Sequence, residues 1–270
     1  MERKAWLAAL PGTIQSLQLR WGISLAAPFD HAYVSCSWVA PATLSETRAV
    51  LKVGMPHMEA EQEMEGLRFW DGEAAVRLLE SDPAANAMLL ERCEPGTPLL
   101  SVPETEQDLI IATMLKRLWK KPPAETFRPL SALIAYWIDE TRNDRERWSD
   151  PMLVSEGLQM FENLAAGTSD DVLLATDLHA GNVLRAQREP WLMIYPKPFA
   201  GDAAYDLTQH LFNCEQRLQA DPVGTIRRVS DLAEVDAERV RMWLFARAAA
   251  EPRDNWGGDW KIDLARRLSL

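Results

Sequence analysis

Short apolar runs broken by turn residues fill the first hundred positions of the chain. Residues 38–41 and 49–53 read as β-strands, and the polar stretch 42–48 reads as a hairpin connection between them. Over residues 58–70, Met64, Leu67, Phe69 and Trp70 form an apolar stripe among glutamates, which predicts a helix that Asp71-Gly72 ends. Two more strands, 76–80 and 87–91, follow on either side of Ser81-Asp82-Pro83, and Pro95-Gly96-Thr97-Pro98 breaks the chain. Beyond that break the apolar period becomes helical. Thr105-Glu106-Gln107-Asp108 resembles a capping box with Asp in place of Glu, and Ile111, Leu115 and Leu118 continue at helical spacing. Residues 130–138, 152–164, 205–218 and 236–250 predict further helices. A β-rich island, 172–174 and 191–194 around a polar loop, interrupts them. The pattern is α+β: a small β-rich lobe with one helix over 1–93, and a larger, mainly helical lobe over 94–270.

Charge and cysteine usage narrow the function classes. Acids outnumber bases 40 to 29 in 270 residues, so the formal net charge is −11. That balance argues against nucleic acid and anionic membrane surfaces as partners and leaves room for a cationic ligand. Cys36, Cys93 and Cys214 are too far apart for a zinc or disulfide motif, and a reducing cytoplasm suits them. Neither a membrane span nor a secretory leader is read from the apolar runs.

The chemistry concentrates in Thr176-Asp177-Leu178-His179-Ala180-Gly181-Asn182-Val183-Leu184, a loop inside the β-island. Asp177 and Asn182 are five apart. The same spacing in a kinase catalytic loop joins an Asp that accepts the attacking hydroxyl's proton to an Asn that holds a metal on the transferring phosphate. His179 and Gly181 lie between them and can shape the turn.

Asp-Leu-His-x-Gly-Asn followed by a strand resembles the catalytic loop of aminoglycoside phosphotransferases and related small-molecule kinases. Ile194-Tyr195-Pro196-Lys197-Pro198, Gly201-Asp202 and Tyr205-Asp206 are similar to the matching segment of the streptomycin 6-kinase and hydroxyurea-resistance kinase branch. Gly66 to Gly72, and Leu89-Leu90-Glu91-Arg92-Cys93 with Pro95-Gly96, also resemble that branch. The resemblance runs from about Trp21 to Trp256. It implies a protein-kinase-like two-lobed fold, ATP and Mg2+ as cofactors, and transfer of a phosphoryl group to a hydroxyl of a small molecule. In that scheme Asp177 is the base, Asn182 holds metal and Lys52 contacts the ATP phosphates. Glu63 orients Lys52, with Glu59 and Glu61 as rivals, while Glu91, Arg92 and Cys93 form the adenine hinge. Asp206 and His179 support the loop. Glu251, Asp254 and Trp256 suggest a carboxylate and aromatic patch for a cationic or hydroxylated acceptor. His31, His57 and His210 read as structural.

Three positions depart from the resembled pattern. Tyr195 stands where the branch has a magnesium-binding Asp, and a neutral phenol is a poor ligand for a hard cation. Ala175-Thr176 replaces the His-Gly of many relatives. The phosphate-covering loop, taken as residues 28–37, has no glycine. Tyr195 therefore opens a competing expectation: an impaired, pseudokinase-like member that holds nucleotide or drug.

Overall fold

The computed structural model describes residues 3–29, 36–167, 170–253, 256 and 260–269. Along the chain, helix α1 (Arg3–Trp21) leads into strands β1 (Ile23–Leu25), β2 (Ser37–Leu44) and β3 (Thr47–Gly54). Helix α2 (Glu63–Trp70) and strands β4 (Leu78–Asp82) and β5 (Ala87–Glu91) follow. Then come α3 (Glu104–Leu118), α4 (Leu130–Asn143) and α5 (Pro151–Leu164). Four short strands, β6 (Val172–Leu174), β7 (Val183–Arg185), β8 (Trp191–Met193) and β9 (Phe199–Gly201), surround the catalytic-loop motif. The chain closes with α6 (Ala203–Asn213), α7 (Glu215–Ala220), α8 (Pro222–Ala233), α9 (Ala237–Ala250) and α10 (Trp260–Leu268). The α+β architecture read from the sequence is present.

The elements gather into two compact units. The first takes Met1–Leu99 with Val183–Lys197, and the second takes Leu100–Asn182 with Pro198–Leu270. In the first, five antiparallel strands run in the order β1-β2-β3-β5-β4. Strand alternation sorts β3 by face. Ala49, Leu51 and Val53 join Leu10 and Leu17 of α1 in one core cluster, and Lys52 takes the opposite face. The pattern did not predict α1. Its buried residues repeat every seventh position, but Pro11 and Gly12 sit among them, and Leu7 and Leu19 lie on the exposed face, which blurs the stripe.

Other boundaries moved for local reasons. The predicted 42–48 connection is mostly strand, because the hairpin turns on Ser45 and Glu46 alone, with Ser45 at φ 54°. The predicted 58–70 helix is a 3-10 turn, Met58–Ala60, followed by α2. Asp71 and Gly72, both at positive φ, end it as expected.

In the second unit, α5 and α9 pack tightly. A Cβ on Gly157 would stand 2.6 Å from the Cβ of Ala249, so only glycine allows this approach. Residues 105–108 are not a capping box. The helix starts after Pro103, and Asp108 turns inward to buried partners instead. The β-island also splits. β6 pairs with β9, and β8 pairs with β7, so residues 172–174 and 191–194 belong to different sheets and different units. No helix among the described residues is long and apolar enough to cross a membrane.

Candidate active site

In the first unit, Lys52 and Glu63 form a closed ion pair. Lys52 Nζ donates to Glu63 Oε1 at 2.5 Å and Oε2 at 2.7 Å, and both residues are under 5% exposed. Burial pushes the Glu63 carboxyl above the usual carboxylate range, and Lys52 opposes that shift. Of the rival glutamates, Glu59 instead accepts from Lys197 Nζ at 2.8 Å.

Tyr195 flanks the pair. Its ring centroid lies 3.5 Å from Lys52 Nζ and 5.9 Å from Lys197 Nζ. The ammonium of Lys52 thus has a carboxylate on one side and an aromatic face on another. Sequence reasoning anticipated the missing carboxylate at 195 but not this stacking, nor Lys197, although Lys197 lies inside the motif that drew attention.

The segment expected to form the hinge is internally tied. Glu91 accepts from Arg188 Nε at 2.9 Å and Nη2 at 2.8 Å, and from the Arg77 backbone N–H at 3.0 Å. Arg188 also donates to the carbonyls of Gly72 and Ala75. Arg188 sits 97 residues from Glu91, so no local signal could have revealed it. Arg92 lies 3.8 Å from Glu94. Burial and the charge of Glu91 push the Cys93 thiol up to about 12, which leaves it inert. The side chains of Glu91 and Cys93 therefore serve the segment's own structure, and the Glu91 N–H is spent on Arg77 O at 2.9 Å.

In the second unit, the catalytic-loop motif is bent and braced. Thr176 sits at φ 50°, a left-handed conformation that costs a β-branched residue about 1–3 kcal/mol. Asp206, fully buried on α6, accepts the backbone N–H groups of Ala175 at 2.9 Å and Thr176 at 2.6 Å. Its Oδ2 also accepts from Trp119 Nε1 at 3.0 Å. Burial raises the Asp206 carboxyl to about 6 against these stabilising donors. The Asp177 N–H then reaches Ala175 O at 2.7 Å, which tightens the turn.

Further along, the Gly181 N–H donates to His179 Nδ1 at 3.1 Å, and a Cβ at 181 would meet that ring at 2.8 Å. Asn182 anchors its amide by donating Nδ2 to Asp177 O at 2.9 Å. That orientation leaves the Asn182 carbonyl oxygen to serve as a cation ligand. Asn182 fits a metal role, whereas Tyr195 offers an aromatic face to an ammonium and does not.

The C-terminal acidic-aromatic patch is largely internal. Glu251 accepts from Arg247 Nε and Nη2, both at 3.1 Å, and has Lys261 Nζ 4.0 Å away. Trp256 is 2% exposed and packs against Trp148 and Arg253, so its ring is no open platform. Asp254 lies outside the described residues, as do His31 and most of the 28–37 loop. Sequence reasoning missed Arg247. It is buried between the rings of Trp137, Tyr205 and Phe212, donates to Thr208 Oγ1 at 2.7 Å, and feels the charge of Asp177.

His210 is buried and structural, on Asp108 Oδ1 at 2.9 Å. Asp108, His210 and Cys214 could in principle gather a metal. Two guanidinium groups already occupy Asp108: Arg217 at 2.5 and 2.7 Å, and Arg228 at 2.9 Å. A cation there would have to displace them.

A strand lysine paired to a helix glutamate, with a separate loop holding Asp177 and Asn182, defines a kinase-like phosphotransferase fold. Solved structures agree on the fold. The choline kinase LicA from Streptococcus pneumoniae superposes with a TM-score of 0.63 at 13% identity, covering 96% of this chain and 97% of that one. A thermostable mutant of an aminoglycoside phosphotransferase, in ternary complex with ADP and hygromycin B, gives a TM-score of 0.57 at 15% identity, covering 94% of each chain.

Sequence comparison is finer. Residues 24–253 match the family model described as aminoglycoside/hydroxyurea antibiotic resistance kinase, and the chain belongs to that family. It is 35% identical to a streptomycin 6-kinase of Streptomyces glaucescens, over 91% of this chain and 83% of that protein. It is 33% identical to a hydroxyurea phosphotransferase of Kitasatospora aureofaciens, over 90% of this chain and 72% of that protein.

Proposed function

We propose that this chain transfers the γ-phosphate of ATP to a hydroxyl of a small molecule, with streptomycin and hydroxyurea as the first acceptors to test. The observation that carries the proposal is the loop from Thr176 to Asn182: a strained turn, fastened by Asp206, in a chain of this kinase family. Phosphoryl transfer asks a protein mainly for alignment and charge stabilisation. Asp177 takes the proton of the attacking hydroxyl. Lys52 orients phosphates, and Glu63 positions Lys52. The hinge residues Glu91, Arg92 and Cys93 offer backbone groups to adenine, and Asn182 gives an oxygen to any accompanying cation. Position 195 adds no metal ligand, since Tyr195 presents its ring to Lys52.

Recognition of the acceptor is assigned to Asp254, outside the described residues, rather than to Glu251 and Trp256, whose side chains are engaged within the second unit. The three cysteines, none of them in a disulfide, suit a cytoplasmic setting.

The test is an ATP-consumption assay on the full chain with each acceptor. Asp177→Asn should cut turnover about a thousandfold, the scale of general-base catalysis. Absence of phosphorylated product from both acceptors, in the wild type and in Tyr195→Asp, would sink the assignment. A second reading has its own observation. The 3.5 Å stacking of Tyr195 on Lys52 favours a protein that holds nucleotide but turns over slowly.

A further inference from the structure

We infer that Arg188, in the turn between β7 and β8, is the positioning residue of the hinge, fastening one end of it while the backbone of the same hairpin fastens the other. That role rests on the nucleotide-binding half of the function proposed above, in which Glu91, Arg92 and Cys93 meet adenine.

Every N–H of the Arg188 guanidinium is engaged. Nε donates to Glu91 Oε1 at 2.9 Å and Oε2 at 3.2 Å. Nη1 donates to Gly72 O at 2.7 Å and Glu189 Oε1 at 3.1 Å. Nη2 donates to Ala75 O at 2.9 Å and Glu91 Oε2 at 2.8 Å. One side chain therefore joins three segments of the first unit: the end of β5, the stretch after α2, and the hairpin itself. The contact with Glu91 is a two-pronged fork, the strong form of an arginine–carboxylate pair, and its partners are only 22% and 19% exposed. A lysine cannot stand in for it. Its three N–H bonds leave from one atom, so it presents no planar fork to the carboxylate while also meeting two carbonyls.

Glu91 is also where the ladder between β3 and β5 stops, at the Ala49–Glu91 pair. The residues beyond it take their place from the ends of the stretch. At one end Glu91 is held by Arg188 and by Arg77, whose N–H donates to Glu91 Oε2 at 3.0 Å. At the other, Gly96 N–H donates to Arg185 O at 3.0 Å, and Arg185 N–H donates to Thr97 O at 2.9 Å. Between the ends, Glu94 pairs with Arg48 and lies near Arg92, contacts open to water that hold little. The hairpin is itself seated. Met193 N–H donates to Ala74 O, and Val76 N–H donates to Met193 O, both at 3.0 Å. Arg185 and Arg188 thus lie on one anchored hairpin and hold the two ends of the hinge stretch. Removing the Arg188 fork loosens the Glu91 end and leaves the other end and the phosphate-side residues as they are.

The experiment is calorimetry on the full chain with two probes, ADP and inorganic tripolyphosphate, which has no base. Arg188→Met should weaken ADP binding by about tenfold, a difference of about 1.4 kcal/mol, and leave tripolyphosphate within about twofold of the wild type. Arg188→Lys should recover no more than about threefold of that loss. Glu91→Gln keeps the shape of the site but not its charge, and should weaken ADP by about threefold with the same indifference to tripolyphosphate.

An Arg188→Met protein that binds ADP as the wild type does would overturn the role of Arg188. So would an equal loss for both probes, which is what general loosening of the unit produces, or wild-type affinity in Arg188→Lys. If Arg188→Met does not fold, Glu91→Gln decides, and wild-type ADP affinity there overturns the role as well. In each of these cases ADP binding by the wild type leaves the nucleotide-binding reading standing. Absence of ADP binding in the wild type would overturn both.

Discussion

Lys52 and Glu63 show how much a single buried pair decides. Each is almost fully enclosed, so neither charge has water to fall back on. Breaking such a pair strands a buried ion and costs about 3–5 kcal/mol, whereas replacing both partners with apolar groups of similar size is close to neutral. Glu63→Ala should therefore lower the urea midpoint sharply. Lys52→Met combined with Glu63→Leu should restore most of the stability while abolishing phosphotransfer. Equilibrium unfolding and the ATP assay read the two effects separately. A double variant as unstable as Glu63→Ala would mean that the pair is not the source of the loss. Tyr195 adds a second residue-scale expectation. Removing the ring that covers Lys52 and supplying a carboxylate, as Tyr195→Asp does, should raise turnover with Mg2+. Unchanged turnover would mean that position 195 does not limit the reaction.

At the scale of elements, α6 is the scaffold of the loop. Asp206 in its first turn holds Ala175 and Thr176, and Thr208 with Gln209 holds Arg247 from α9. The brace requires a carboxylate that accepts on both oxygens. With its carboxyl at about 6, Asp206 protonates as pH falls through that value, and one oxygen then becomes a donor facing a donor. Turnover should fall below pH 6, and Asp206→Asn should be slow at every pH and lack that step. A wild-type rate level from pH 7 to 5 would contradict the brace. The folding sign is the reverse. A carboxyl raised from 3.8 to about 6 contributes stability at low pH that is lost as pH rises through that window.

Helix legibility did not follow the apolar stripe alone: α9, buried on every face over its last turns, was read from its apolar content, while the amphipathic α8 was not. Residues 130–138 and 236–250 gave α4 and α9, but α1, α8 and α10 went unread. In α1 the stripe is interrupted by Pro11, and in α10 three arginine and lysine side chains dominate nine residues. Asp177 and Asn182 could be read from their five-residue spacing, whereas Lys52 and Asp206 were expected only from the resemblance to the kinase branch. The partners Arg188, Arg247 and Lys197 could not, because their contacts are made 97, 39 and 138 residues away.

At the scale of the whole molecule, a chain of net charge −11 still commits several of its cations to a buried carboxylate. In the second unit, Asp108 collects Arg217, Arg228 and His210 from α7, α8 and α6, and so ties four helices at one buried point. Those cations hold the Asp108 carboxyl well below the usual carboxylate range, although burial works the other way. Burial also acts against the His210 charge, but Asp108 and Cys214 outweigh it and raise the imidazole to about 9. A histidine with a raised folded value contributes stability that is complete below its unfolded value of 6.5 and is lost as pH rises through 9. Such a rise is worth roughly 3 kcal/mol for a buried group. Urea unfolding followed from pH 6 to 9.5 should show the midpoint falling steadily across the range. His210→Asn keeps a polar group at the site but has no proton to lose, so its midpoint should start lower and stay level. A wild-type profile level between pH 6.5 and 9, or a His210→Asn profile with the same slope, would place the charge that holds these four helices somewhere other than His210.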